Sequence, residues 1–363
     1  MDRKIILEDG QEYLGYSFGS EKQTVCEIVF NTSMVGYQEI LSDPSYTDQA
    51  VVMTYPIIGS YGMAEEDYES AAPSIGALIV REYNDEPSNF RSAATLSEVM
   101  KRWDIPGIWG VDTRALTRSI RDLGSRRVLL TDASTPLEEG LRILRRTELP
   151  HDAVSRVSRK QPVFYEAQDG ALHVAVIDCG AKENIIRSLR ELGCRVSAVP
   201  YNTSADEVRA LRPDGILISN GPGDPTDVPE TVACVRSLLG SYPLFGICLG
   251  QQILALACGA RTYKLKFGHR GGNHPVKELA TGRIEITSQN HSYSVDPESL
   301  HGTPLRPSHI NLLDGTVEGL TSDVYPVFSV QYHPEASPGP RDSCCLFDRF
   351  LSNMKEWKNA EKN

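Results

Sequence analysis

The chain changes its hydrophobic rhythm part-way along. In the first part, short apolar runs alternate with turn formers. Lys4-Ile5-Ile6-Leu7 and Tyr13-Leu14-Gly15-Tyr16 flank Glu8-Asp9-Gly10, a hairpin pattern. Residues 25–30, 50–55, 75–80 and 126–131 predict further strands. Residues 94–103 and 113–123 predict helices, the second capped by Asp112 or Thr113. Residues 31–46 place polar and turn-forming residues inside an apolar frame and predict a capped helix followed by a turn. Together these elements predict a smaller α+β domain over residues 1–157. Residues 158–170 are polar, contain Pro162 and lack any period, which predicts a linker.

From residue 171 to residue 363 the rhythm is different. Leu172-His173-Val174-Ala175-Val176-Ile177 is nearly continuous in apolar character, and residues 195–199 and 215–219 repeat the pattern. Helical segments at 182–192, 205–211 and 228–239 fall between these runs. Apolar strands alternating with helices predict a doubly wound, mostly parallel sheet covered on both faces. Residues 342–357 predict an amphipathic helix that packs on it. In such sheets ligands bind beyond the carboxyl ends of the strands.

Candidate chemistry gathers at that edge. The apolar run from Pro243 reads as a strand that stops at a turn carrying Cys248, and the tail through Leu254-Ala255-Leu256-Ala257 up to Gly259 reads as a helix with a Gly C-cap. Gly246-Ile247-Cys248-Leu249-Gly250 matches the G-x-S-x-G nucleophile elbow with sulfur in place of oxygen. A thiol there faces the positive end of the helix dipole, and the N–H of Leu249 is placed to stabilise an oxyanion. A buried structural cysteine is the plain alternative. Asn220-Gly221-Pro222-Gly223 also follows a strand and forms a rigid turn facing the same crevice. Val327 to Tyr332 leads into His333-Pro334-Glu335, where residues two apart in extended chain point the same way. Cysteine, histidine and carboxylate in this order fit nucleophile, base and orienter.

Composition then narrows the classes. The formal charge is −11, with Lys and Arg spread along the chain, which argues against a nucleic-acid binder. No apolar run approaches the roughly 20 residues of a membrane span. Met1-Asp2-Arg3-Lys4 lacks an apolar core, so no secretory signal is expected. Eight cysteines occur without a C-x-x-C pair, which favours a reduced, cytoplasmic protein. His269 and His274 have no carboxylate or cysteine at ligand spacing, so residues 267–274 read as a shaped Gly-rich loop rather than a metal site, and no metal is expected. G-x-x-x-x-G-K-[ST] occurs nowhere in the chain.

Gly246-Ile247-Cys248-Leu249-Gly250-Gln251-Gln252, Asn220-Gly221-Pro222-Gly223 and His333-Pro334-Glu335 together resemble the class I, triad-type glutamine amidotransferases. Asn31 to Leu41 with Asp43-Pro44-Ser45-Tyr46, Lys266-Phe267-Gly268-His269 with Gly272-Asn273-His274-Pro275, and Pro334 to Pro340 are similar to the small-subunit family of carbamoyl phosphate synthetase. The resemblance implies Cys248 as nucleophile, His333 as acid/base and Glu335 as its orienter. It implies glutamine contacts at Ser45, Gly221, Gly223, Leu249, Gln252, Asn290, Ser292 and Tyr293. Asn290-His291-Ser292-Tyr293 stands where Asn-His-Gly-Phe is common in the family, and Gln251 where His is common. The implied activity is glutamine hydrolysis through a glutamyl thioester. The chain itself would need no cofactor. Ammonia would pass to a large partner subunit, in a heterodimer or an oligomer of heterodimers, that uses ATP and Mg to make carbamoyl phosphate from bicarbonate. The product would serve arginine synthesis, pyrimidine synthesis or both. The residues also admit a free-standing γ-glutamyl hydrolase with the same triad, or a catalytically dead scaffold subunit.

Overall fold

The computed structural model describes residues 1–360. It divides into two compact units, residues 1–151 with 266–271, and residues 152–265 with 272 onward.

In the first unit seven strands close into a barrel: β1 (Arg3–Leu7), β2 (Glu12–Gly19), β3 (Thr24–Asn31), β4 (Gln49–Met53), β5 (Ala77–Ile79), β6 (Pro106–Trp109) and β7 (Arg127–Asp132). Their order round the barrel is β1-β2-β6-β5-β4-β3-β7. The expected hairpin is β1 and β2, with Ile5 opposite Tyr13. β4 and β5 are buried along their whole length. Alternate residues explain why: Ala50 and Val52 enter one apolar cluster, Val51 and Met53 another. The helix Thr113–Leu123 covers one of these clusters with Leu116 and Ile120, and the Asp112 carboxylate caps it by accepting from the Ala115 N–H at 3.0 Å. Residues 31–46 form the short helix Tyr37–Ser42 and a turn at Pro44–Tyr46, as their polar pattern predicts. Closure into a barrel, and a further helix at Leu137–Arg146, are features the hydrophobic pattern does not reveal.

The second unit is built on a ten-stranded sheet. Its strands are β8 (Val163–Tyr165), β9 (His173–Asp178), β10 (Arg195–Pro200), β11 (Gly215–Ile218), β12 (Leu244–Ile247), β13 (Thr262–Glu278), β14 (Ile284–Val295), β15 (Leu305–Asn311), β16 (Val317–Ser322) and β17 (Val327–Val330). The order is β8-β10-β9-β11-β12-β17-β16-β15-β13-β14. β10, β9, β11, β12 and β17 run parallel. β8 is antiparallel at one edge, and β16 and β15 continue the sheet antiparallel on the other side. The sheet is therefore mixed, with a parallel centre.

Period-two alternation sends Ala175, Ile177, Ile216 and Ile218 to one face, under helices Pro229–Leu238 and Leu249–Ala257. Val174, Val176, Leu217 and Phe245 go to the other face, under helices Glu183–Glu191 and Cys345–Ala360. Phe245 stacks on Phe328 with ring centroids 4.4 Å apart and meets Phe347 edge-on at 5.8 Å. Such aromatic pairs add about 0.5–1.5 kcal/mol to the area they bury.

Two local expectations change. The stretch read as a linker carries the edge strand β8, whose three β-favouring residues are too few to show a period. The stretch read as a Gly-rich loop lies inside the long strand β13. Its glycines signal a turn in sequence, but they act as left-handed kinks in extended chain, with φ 71° at Gly268 and 136° at Gly271.

Candidate active site

Cys248 stands between the end of β12 and the first residue of helix Leu249–Ala257. Its backbone has φ 54° and ψ −106°, a conformation that costs a residue with a Cβ about 1–3 kcal/mol. The surroundings enforce it. The Cys248 N–H donates to the Val330 carbonyl of β17 at 2.9 Å, and its own carbonyl accepts from the Gln251 N–H at 3.0 Å. A Cβ on Gly246 would lie 2.7 Å from the Gly250 carbonyl oxygen, and one on Gly250 would lie 2.1 Å from that of Ile218. Both glycines of G-x-C-x-G are thus steric requirements of the turn. Leu249 is the first helical residue, so its N–H has no acceptor within the helix.

The second turn, after β11, meets the first. A Cβ on Gly221 would lie 2.2 Å from the Cys179 carbonyl oxygen and 2.8 Å from the Leu249 side chain. Gly223 takes φ 84°.

β17 delivers the third element. The His333 N–H donates to the Ser288 carbonyl at 2.9 Å. Its Nδ1 lies 2.6 Å from Glu335 Oε1, and both side chains are buried. Nδ1–H therefore donates to the carboxylate, which leaves Nε2 on the far side of the ring. Nε2 makes no hydrogen bond of sound geometry, although the Cys248 sulfur is close enough to influence the ring. Burial opposes a charge on His333. The Glu335 carboxylate and then the Cys248 sulfur outweigh it and raise the pKa to about 10. Burial likewise pushes Glu335 up, but Lys182 and His333 hold it down at about 2. Lys182 Nζ lies 3.1 Å from Glu335 Oε1 in a pair almost sealed from solvent, and it also donates to the Ala336 carbonyl.

The Cys248 thiol donates to the Asn290 carbonyl of β14 at 3.6 Å. Gln252 Nε2 donates to the Tyr293 carbonyl at 2.9 Å and to Gln331 Oε1 at 3.1 Å. Gln331 Nε2 lies 3.7 Å from the Cys248 sulfur.

Two family models match the chain: Glutamine amidotransferase class-I over residues 175–353, and Carbamoyl-phosphate synthase small chain, CPSase domain, over residues 5–130. The carbamoyl phosphate synthase small chain of Staphylococcus epidermidis is 51% identical over 360 residues, 99% of this chain and 98% of that one. The chain belongs to the carbamoyl phosphate synthase small-chain family. The pyrimidine-specific small chain of Halalkalibacterium halodurans is 53% identical over 359 residues, 99% of each chain. The small chain of Bacillus caldolyticus is 52% identical over 357 residues, 98% of each chain. The chain is thus a small, glutamine amidotransferase subunit of a glutamine-hydrolysing carbamoyl phosphate synthase.

Within this small-chain family member, the residues singled out in sequence fall into two groups. Gly221, Gly223, Cys248, Leu249 and His333 with Glu335 follow the carboxyl ends of β11, β12 and β17, and Gln252, Asn290 and Tyr293 join them through the bonds above. Ser292 is half-buried on the same strand as Asn290. Ser45 belongs to the first unit, buried in its turn, with its N–H on the Asp43 carboxylate at 2.9 Å. Gln251 serves packing: its Oε1 accepts from the Ser329 hydroxyl at 3.2 Å, and its Nε2 points at the Val317 carbonyl at 3.5 Å.

Three polar residues at this edge were not foreseen. Lys182 and Asn184 both reach the Glu335 segment, Asn184 by donating to the Glu335 carbonyl. The usable signal was their position just after strand β9, where a buried lysine needs an anion. Gln331 was hidden in the apolar run Val327 to Tyr332, where a lone amide in a buried strand end is itself a signal.

Among the described residues, no helix is long and apolar enough to cross a membrane.

Proposed function

We propose that the chain hydrolyses glutamine through Cys248, His333 and Glu335 and supplies the ammonia to a large partner chain. The observation that carries this reading is a single buried edge where a strained cysteine elbow meets a His–carboxylate pair. The Cys248 thiol passes its proton to His333 Nε2 as its sulfur attacks the amide carbon of glutamine. The oxygen gains negative charge facing the N–H of Leu249 and the Gly221 turn; one such donor is worth roughly 3 kcal/mol. The C–N bond then breaks, and the nitrogen leaves as ammonia with a proton from His333 Nε2. Water attacks the glutamyl thioester, His333 takes its proton, and glutamate departs with the sulfur restored. By raising the basicity of the ring, Glu335 suits His333 to take up each proton before it is passed on. Gln252, Asn290, Ser292 and Tyr293 are glutamine contacts in this reading, and Ser45 is carried as one on its motif alone.

The partner chain would use ATP, Mg and bicarbonate to make carbamoyl phosphate, in a heterodimer or an oligomer of heterodimers. The product serves arginine synthesis, pyrimidine synthesis or both, and the name of the Halalkalibacterium relative favours pyrimidines. The thiol at rest is bonded to the Asn290 carbonyl rather than to His333. This supports a slow glutaminase that speeds up when the partner turns over, because misaligned groups can cost about 100-fold. The test assays the assembled complex with glutamine or with added ammonia. Cys248→Ala should abolish synthesis from glutamine and leave synthesis from ammonia. Equal loss with both donors would make Cys248 structural.

A further inference from the structure

A neutral amide, Gln331, is buried against the sulfur. It follows β17, is fully buried, and stands two residues before His333. Its backbone N–H donates to the Glu318 carbonyl of β16 at 2.9 Å, which fixes the chain at this point. The orientation of its side chain follows from a backbone carbonyl. The Tyr293 oxygen can only accept, so the Gln252 atom 2.9 Å from it is the N–H₂ group. That same nitrogen lies 3.1 Å from the Gln331 amide, so the Gln331 atom facing it is the oxygen. The remaining end of Gln331, its N–H₂ group, therefore faces the Cys248 sulfur at 3.7 Å. A reversed amide would set two N–H₂ groups against each other and leave a buried carbonyl facing the sulfur.

We propose that Gln331 holds the nucleophile, donating an N–H to the Cys248 sulfur while Gln252 holds its carbonyl. This rests on the reading of Cys248 as nucleophile given above. A donor that never changes charge stabilises negative sulfur without competing for the proton that His333 carries. Gln252, itself a glutamine contact in the proposed function, occupies the other end of the amide. Substrate position and sulfur position are thereby linked through two side chains. Such a group acts on the sulfur's charge more than on glutamine affinity. The titratable groups near this point are His333, with Glu335 and Lys182 behind it, and the buried Glu318 with His291 on the neighbouring strands. All of them remain in the variants below.

The experiment follows iodoacetamide alkylation of Cys248 against pH in the full chain, read on the Cys248 peptide by mass spectrometry. Glutamate release by the assembled complex is measured in parallel. In Gln331→Met the alkylation midpoint should move to higher pH by about one unit. The kcat for glutamine should fall about 10- to 100-fold, with KM changed less than about threefold. Gln331→Glu, which keeps the shape but as a carboxylate cannot donate, should also raise the midpoint. An unmoved midpoint in either folded variant overturns the inference. A raised midpoint with undiminished glutamate release supports Gln331 as the sulfur's donor and sinks Cys248 as the glutaminase nucleophile.

Discussion

Two buried histidines stand at opposite ends of the sheet's parallel centre. His173 opens β9 at the amino edge, and His333 follows β17 at the carboxyl edge. The amino-edge site looks more like a nucleophile pair: His173 Nε2 lies 2.7 Å from the Ser197 hydroxyl. Yet its other nitrogen is 2.9 Å from an Arg195 guanidinium, which can only donate. Nδ1 must accept, so Nε2–H donates to Ser197 and cannot take its proton. Burial first, and then Arg195, lower the His173 pKa and keep the ring neutral. At His333 burial acts in the same direction, but a carboxylate occupies the Nδ1 position and reverses the outcome. Burial is common to both rings; the sign of the partner on Nδ1 separates a structural histidine from one that can move a proton.

The largest expected effect tests that contrast at the reactive end. Cys248→Ala and His333→Asn should each cut glutamine hydrolysis by about 10⁴-fold or more, since members of a triad fail as a unit. The same measurement on Ser197→Ala should show no comparable loss; a loss of that size would move the chemistry to the amino edge.

Glu335→Gln comes next. It removes the charge that raises His333, so the ring should titrate nearer its ordinary value, and turnover should fall by about a thousandfold or more. The His333 titration by NMR checks the first part. A ring still titrating near its wild-type value would show that Glu335 is not the cause. Lys182→Met, one bond further from the sulfur, should cost roughly tenfold, the weight of about one pKa unit at Glu335. A variant with native turnover would restrict the Lys182–Glu335 pair to stability.

The two edges also differ in how stability depends on pH. His333 has its pKa raised from 6.5 to about 10, so its contribution is complete below 6.5 and is lost as pH rises toward 10. Glu335 has its pKa lowered from 4.5 to about 2, so its contribution is complete above 4.5 and is lost as pH falls toward 2. His173, lowered from 6.5, contributes above that value and loses stability as pH falls below it. Denaturant midpoints across pH should show Glu335→Gln removing the loss on the alkaline side, and His173→Gln flattening the loss just below neutrality. Identical profiles for both variants would contradict the assignment of opposite protonation states. The smallest effect on function belongs to His173→Gln: turnover within about twofold of native, with about 1–2 kcal/mol of stability lost with its hydrogen bonds.

What sequence could reveal follows the same division. The parallel centre of the sheet was legible because strands buried on both faces write continuous apolar runs, as at Val174 to Ile177. The elbow was legible because two glycines flanking one cysteine are steric necessities, as Gly246 and Gly250 prove to be. The antiparallel strand β13 was not, because a partly exposed strand interrupted by Gly268 and Gly271 imitates a loop. Barrel closure in the first unit depends on pairings far apart in sequence, such as β1 with β7, which no local pattern encodes. Lys182 and Gln331 stayed hidden for a related reason: each acquires its meaning only from a partner in another segment.

The central claim is that the Cys248 sulfur forms a covalent bond to the glutamyl group. Acid quenching of the assembled complex during turnover with isotopically labelled glutamine, followed by mass spectrometry of the Cys248 peptide, tests it directly. The account predicts a labelled glutamyl thioester on Cys248, absent in Cys248→Ala and accumulating when Glu335→Gln slows its hydrolysis. Steady glutamate release with no label on Cys248 would contradict it.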